Sequence, residues 1–406
     1  MAAGVLGTVL RGAVTAAEPL GTLWVNAIRM TLVPLVVGLL VTSVTGFADL
    51  RALGRLGSRT VLVFIALLAG TAIFAALASP PLLAHMPLDA STTALLRAHV
   101  VVQGATLPGE LPTLRGFIIG LVPTNPVRAA ADAAMLPLIV FSLVLALAVM
   151  QLAEARRTMV RELFRALSDA MLVIVGWVLR VTPIGVFALA ANLGATLGLG
   201  VVGPVAYYVA ALSGLLLVAG LALYPVAVLF GHIPLRRFAR SVAPAQAMAV
   251  ATRSSLASLP ALIGGAQREL DDRPGITGFV LPLSVATFKI NTPLSDLIGP
   301  LFLAHLYGVP LSTAQVATMT LVTVAMSFSN PGIPSGGLFV VTAPVLLSVG
   351  LPLEGIGLLI AADAIPDIFA TVINVTGDMT VAAIVARTTP TRVDAAALSA
   401  AMPPAA

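Results

Sequence analysis

Five polar side chains interrupt an otherwise apolar stretch near the end of the chain: Asp363, Asp367, Thr371, Asn374 and Asp378, within residues 355–386. On one helix turning about 100° per residue they fall at roughly 0°, 40°, 80°, 20° and 60°, so all five share a face. A carboxyl at mid-membrane depth costs about 2.5–3.5 kcal/mol on the insertion scale, so three together need partners or a function. Such a face can hold a cation, pass a proton or receive an ammonium group; the plainer alternative is a set of structural pairs with other polar helices. A second cluster, Arg253-Ser-Ser-Leu-Ala-Ser-Leu-Pro260, offers a guanidinium and three hydroxyls. Ser254, Ser255 and His305 would suit a nucleophile and base, but no third residue is placed to orient the base, which argues against an enzyme. The third feature is Lys289, the single lysine among 22 basic residues, within Lys289-Ile-Asn-Thr-Pro-Leu-Ser-Asp296.

The elements around these residues belong in lipid. Of 406 residues 59% are hydrophobic and 10% charged, too little charge to cover a soluble surface. There is no cysteine, which excludes disulfides and thiolate chemistry, and the four histidines lack ligand-like spacing. The expected partners are the bilayer and a small molecule, not nucleic acid, and no cofactor is implied. The first sixteen residues carry Arg11 in mid-run and do not read as a signal peptide. A span needs about 20 apolar residues. Residues 60–79 and 203–231 meet that length; 30–44, 136–150 and 171–192 are further candidates, and 80–112 reads as a loop.

Three basic clusters, Arg51/Arg55/Arg59, Arg156/Arg157/Arg161/Arg165 and Arg236/Arg237/Arg240, are separated by two spans each. They therefore share a face, which the positive-inside bias makes cytoplasmic. The expected location is the cell (inner) membrane, multi-pass, with the basic loops and C-terminus cytoplasmic and the N-terminus outside.

Residues 306–353 carry no charge at all, yet the run breaks at Ser327-Phe-Ser-Asn-Pro-Gly-Ile-Pro-Ser-Gly-Gly337. Each arm is too short to cross, so the expected shape is a helical hairpin with its tip inside the membrane. The Arg253 segment sits between two similar short arms. Between the hairpins, the polar, proline-containing 289–296 divides apolar halves and predicts a discontinuous helix. The fold class expected is all-α: a multi-span bundle with two re-entrant hairpins and discontinuous helices. Irregular backbone at membrane depth lines a protein-walled cavity, as in transporters built from repeats.

These residues resemble the dicarboxylate/amino acid:cation symporter family, relatives of the glutamate transporters. The resemblance rests on Arg253-Ser-Ser255 with Ser258-Leu-Pro260, Val122-Pro-Thr-Asn-Pro126, Pro183-Ile-Gly-Val-Phe187, Gly332-Ile-Pro334 and Asn374-Val-Thr-Gly-Asp378. It implies a homotrimer moving its substrate by an elevator mechanism. Scaffold helices would occupy 24–59 and 113–200. A mobile transport domain would occupy 60–80, 203–231 and 243–388, with hairpin 1 at 243–268, the broken helix at 276–307, hairpin 2 at 315–349 and the last helix at 355–386. Residues 389–406 would form a cytoplasmic tail.

The resemblance places substrate at Arg253, Ser254, Ser255, Thr292, Ile333, Gly337, Asp367, Ala370, Thr371 and Asn374. Asp367 would receive an ammonium group, Asn374 a carboxylate, and Ala370 stands where acidic-substrate members carry arginine. Where the family usually reads Asn-Met-Asp-Gly-Thr in the broken helix, this chain has Phe288, Lys289, Ile290, Asn291 and Thr292. Phe64, Leu67 and Leu68 match further oxygen-bearing positions. Sodium needs oxygen ligands, and of the usual set only Asn374 and Asp378 remain. Sodium coupling is therefore not expected. Of two candidate carboxylates, Asp378 and Asp296, Lys289 is expected to pair with Asp378 in place of a bound cation; the plainer alternative is a lysine that reaches a watery cavity. Transport would be uncoupled or proton-coupled through Asp296 or Lys289. The alternative is a transport-inactive channel or sensor with the same fold.

Overall fold

The computed structural model describes residues 19–24, 26–27, 30–31, 33–42, 44–45, 55–86, 119–120, 122–132, 134–197, 202–271, 273, 276–328 and 338–387, and every regular element among them is helical. The expected external N-terminus, Arg51, the tip of hairpin 2 and the C-terminal tail lie outside these residues. In chain order the helices are α1 (Val33–Thr42), α2 (Arg55–Ala84), α3 (Pro126–Ala131), α4 (Met135–Val149), α5 (Glu154–Leu197) and α6 (Val202–Gly231). Then come α7 (Leu235–Thr252), α8 (Leu259–Glu269), α9 (Leu281–Thr287), α10 (Thr292–Leu306), α11 (Thr313–Ser327), α12 (Ala343–Ser348), α13 (Ile356–Ala362) and α14 (Pro366–Ala386). Three of them, over Leu56–Ala84, Val202–Gly231 and Pro366–Ala386, are long and apolar enough to cross a bilayer.

Two of the further span candidates coincide with apolar helices shorter than a span: α1 over ten described residues and α4 over 15. The 171–192 candidate is one part of the 44-residue α5, which also carries Arg156, Arg157, Arg161 and Arg165. The loop expected from Pro80 begins later, because α2 runs through Pro80 and Pro81 to Ala84. Those prolines fall in its last turns, where they remove the donors that would return to the Ala76 and Leu77 carbonyls without stopping the helix. Leu83 stays buried, and the Tyr207 hydroxyl donates to the Leu82 carbonyl at 2.6 Å, satisfying an acceptor the helix end leaves open.

Local sequence accounts for several starts and stops. Asn125 of Val122-Pro-Thr-Asn-Pro126 caps α3, its Oδ1 accepting from the N–H groups of Val127 and Arg128, with Pro126 at the first helical position. Ser312 and Gln315 form a capping box that starts α11. Single π turns, Ile276–Val280 and Leu338–Thr342, lead into α9 and α12, each of which carries a proline (Pro282, Pro344) near its start. A proline there cannot donate to the preceding turn, which favours the wider loop.

α7 and α8 form a helical hairpin whose first arm begins at Leu235 rather than near Ala243, because Pro244 is accommodated inside the helix. The arms approach so closely that a Cβ on Gly265 would overlap the Ser241 carbonyl oxygen. Arg253 turns the chain in the left-handed region, φ 50° and ψ 36°. The discontinuous helix is present but its break is tighter than expected: only Phe288–Asn291 are non-helical, and Thr292-Pro-Leu-Ser-Asp296 opens α10. Pro293 has no N–H to return to the Lys289 carbonyl, so the helix cannot run through.

The last apolar stretch is also divided. α13 ends at Ala362, Asp363 lies in a turn, and α14 starts at Pro366. Pro366 removes a donor the preceding helix would need, so the single-face projection fails for Asp363 while Asp367, Thr371, Asn374 and Asp378 keep it. α14 is the buried centre, packed on α6, α7 and α2.

Candidate functional site

Three elements converge on α14: the turn of the α7–α8 hairpin, the break between α9 and α10, and the polar face of α14 itself. Arg253 brings its Nη1 to 3.9 Å from Asp367 Oδ2, with the guanidinium side half-exposed. At that exposure the pair orients more than it stabilises. Ser254 lies partly buried in the turn, its Oγ accepting from the Ala257 N–H at 3.3 Å, and Ser255 is buried beside it. On α14, the Thr371 hydroxyl donates to the Asp367 carbonyl at 2.8 Å. Asn374 Oδ1 accepts from the Asn291 N–H at 3.1 Å and so fastens the last helix to the break. Ala370 and Thr292 are buried close to this line. Ile333 and Gly337 fall outside the described residues.

The break is sealed by apolar contact. Phe64 of α2 stacks on Phe288 with ring centroids 4.6 Å apart and planes 7° apart. Leu68 is wholly buried next to it, and a Cβ on Gly377 would meet Ile290 at 2.9 Å and Phe288 at 3.3 Å. Glycine at 377 thus lets α14 lie directly against the break. One residue on, Asp378 is fully buried, and neither carboxylate oxygen has a hydrogen-bond partner among the described residues.

Lys289 sits at 3% exposure, so it does not reach for water. Its ammonium folds back and donates to the Val285 carbonyl at 2.6 Å. That carbonyl belongs to the last turn of α9, where helical partners run out and a cation is favoured by the dipole. The opposite charge acting on the ammonium is the Asp378 carboxylate, although no contact within 4.0 Å joins them among the described residues. Asp296 is not its partner. With the helix interrupted, the seven-residue spacing no longer places the two on one face, and Asp296 instead accepts a hydrogen bond from the Thr342 hydroxyl at 2.5 Å. That bond ties α10 to the π turn Leu338–Thr342 ahead of α12.

Sequence reasoning missed one residue group. Gln246 of α7 donates through Nε2 to the Thr376 hydroxyl at 2.9 Å and to the Tyr224 hydroxyl at 3.0 Å, linking three helices beside the site. The only signal was a lone amide in the alanine-rich arm Ala243–Ala251.

A buried carboxylate face, an interrupted helix and the α7–α8 turn lie among helices apolar enough to cross a bilayer, an arrangement suited to a membrane transport protein. The chain belongs to the sodium:dicarboxylate symporter family, whose model matches residues 1–388. It is 30% identical to the proton/glutamate-aspartate symporter of Escherichia coli over 373 residues, covering 91% of this chain and 84% of that protein. It is 26% identical to the C4-dicarboxylate transport protein of Leptothrix cholodnii, covering 86% and 77% of the two chains. It is 28% identical to neutral amino acid transporter B(0) of Oryctolagus cuniculus, covering 88% and 71%. The family resemblance read from the short motifs is thereby shown, and the chain is a secondary transporter of a small molecule.

Proposed function

We propose that the substrate is a small amino acid or monocarboxylate and that it is carried without sodium by an elevator-type movement in a trimer. The mobile unit would comprise 60–80, 203–231 and 243–388, sliding in the inner membrane against a scaffold of 24–59 and 113–200, with the two hairpins entering the membrane as gates. Asp367 would receive the substrate ammonium, with Arg253 as its resting counter-charge; Asn374, Thr371 and the serines of the turn would hold the carboxylate end.

The observation that carries sodium independence is the environment of Asp378. Sodium is a hard cation needing several oxygens. Asp378 is fully buried, and neither of its oxygens has a hydrogen-bond partner among the described residues. The cation acting on it is an ammonium built into the chain, while Phe288 and Ile290 of the break pack at the adjoining Gly377. A sodium ion does not suit that set, and the Lys289 charge takes its electrostatic place. Asp296, buried against Thr342, is then the carboxyl left to carry a proton.

Uptake of labelled amino acids and short carboxylates into proteoliposomes, with sodium and pH gradients varied separately, tests this. Uptake should be unchanged when sodium is replaced by choline and should rise with an inward proton gradient. The rise should vanish in Asp296→Asn, which keeps the acceptor for Thr342. Stimulation by sodium overturns the reading, and absence of uptake under every gradient would indicate a sensor or channel instead.

Selectivity follows from position 370. The relatives named for glutamate, aspartate and C4-dicarboxylates are named for substrates with two carboxylates, whereas Ala370 leaves no cation for a second carboxylate. Neutral substrates should therefore compete best. Ala370→Arg should improve competition by aspartate about ten- to a hundredfold, the usual range for a charged hydrogen bond.

A further inference from the structure

The three helices long enough to cross a bilayer, α2, α6 and α14, enclose an apolar groove of about 500 Å³. Its walls include Val63, Ala66 and Phe74 of α2, Ala222 and Phe230 of α6, and Ile384 of α14. Ala66, Ala222 and Phe230 are exposed, so the groove opens sideways, along the faces of the spans.

Its two ends differ in charge. Tyr207 at the start of α6 bonds to Leu82 at the end of α2, while Val63 and Phe230 share the groove, so α2 and α6 run antiparallel. Gly220 packs on Ile373 and Gly231 on Ala383, so α6 and α14 run parallel. The start of α2 therefore meets the ends of α6 and α14. At that end Arg59 lies four residues before Val63 and Arg387 three residues after Ile384, each one turn along the face that lines the groove. Both arginines are exposed, and among the described residues neither has a carboxylate within 4.0 Å. Arg237 nearby is different: it is engaged by Glu269 and Asp271.

An acyl-sized channel along three spans, with two free guanidinium groups at one mouth, matches an amphiphile that has a hydrocarbon chain and an anionic head. We propose that this groove is a binding site for an anionic phospholipid, one acyl chain between α2 and α6 and the phosphate on Arg59 and Arg387. Basic sites between spans at the cytoplasmic side recognise such head groups, and each arginine near the surface adds to the attraction. A second copy of this chain would need anionic groups to meet the arginines, and an apolar small molecule would not use them. Lining residues α2, α6 and α14 all pack in one body with the break, so the lipid would ride with the site.

The test uses the full chain purified in detergent, with native mass spectrometry counting retained lipid and thermal unfolding as second readout. Phosphatidylglycerol, phosphatidylcholine and glycerol phosphate are compared on wild type, on Arg59→Gln/Arg387→Gln, and on Ala222→Trp, which fills the groove. Phosphatidylglycerol should be retained and should raise the melting temperature above that in phosphatidylcholine; glycerol phosphate should do neither. The double variant should hold phosphatidylglycerol about thirtyfold more weakly, from two lost surface arginines, with unfolding in phosphatidylcholine unchanged. Ala222→Trp should lose the preference with both arginines present. Equal retention of the two lipids, an equal effect of glycerol phosphate, or an unaltered preference in either variant overturns the proposal. So does a disulfide between copies formed by Ala222→Cys in this cysteine-free chain, which would place a second copy in the groove.

Discussion

Lys289→Met abolishes uptake and lowers the stability of the purified transporter, and adding Asp378→Asn restores part of both. The single change does two things. It strips the cation from the end of α9, leaving the Val285 carbonyl without its donor, and it leaves the Asp378 carboxylate buried with no opposing charge. Removing one member of a directly paired buried ion pair costs about 3–5 kcal/mol, an upper bound here because no contact within 4.0 Å joins the two charges among the described residues. Neutralising Asp378 in the same molecule removes the electrostatic share but not the lost cap. Recovery should therefore be partial, leaving a deficit of about 1 kcal/mol, the typical net worth of one hydrogen bond. Asp378→Asn alone strands the ammonium and should also be impaired. Denaturant unfolding and proteoliposome uptake on the four proteins measure the coupling directly. A double variant no better than the worse single one would show that the two residues act separately, and the fixed-cation reading would fail.

Gly265→Val should prevent assembly of the α7–α8 hairpin, whereas Gly264→Val should be tolerated. At 265 the added carbon meets backbone, the Ser241 carbonyl, which can yield only by moving the whole arm. Overpacking of an interior contact costs about 1–3 kcal/mol, and a backbone obstacle puts this case at the upper end. At 264 the nearest atom is the tip of the flexible Arg268 side chain, 3.5 Å away. The turn carrying Arg253, Ser254 and Ser255 depends on that close approach, so loss of uptake should accompany loss of yield in detergent. Equal behaviour of the two variants in size-exclusion chromatography and uptake would mean that the arms do not meet as described.

Much of the architecture was legible because punctuation and hydrophobicity agree. Long uncharged runs marked α2 and α6, and Arg253–Pro260 and Lys289–Asp296 marked a turn and a break. What escaped was where each element stops. Pro80 was taken to open a loop and the first hairpin arm to begin near Ala243, yet Pro80 and Pro244 both sit inside longer helices, beside apolar side chains that remain buried. Pro366, by contrast, does end a helix, and it removed Asp363 from the stripe. Proline alone does not say which; the packing around it decides. Partner choice was equally hidden. Spacing offered Lys289 two carboxylates, and only the break's tightness, with Thr342 arriving from residues 46 positions away, assigns Asp296 elsewhere. The Gln246–Thr376 bond joins residues 130 positions apart, and with Tyr224 it leaves no local pattern.

The buried lysine has a chemical consequence as well. All other basic side chains here are arginines, so in the folded protein an amine-directed acylating reagent finds, apart from any chain-terminal amine, a single target that is 3% exposed. Its rate of modification is then a clock for how often the break opens to water. A substrate that holds the break shut would slow that clock, and one that draws it open would hasten it, without any label having been introduced.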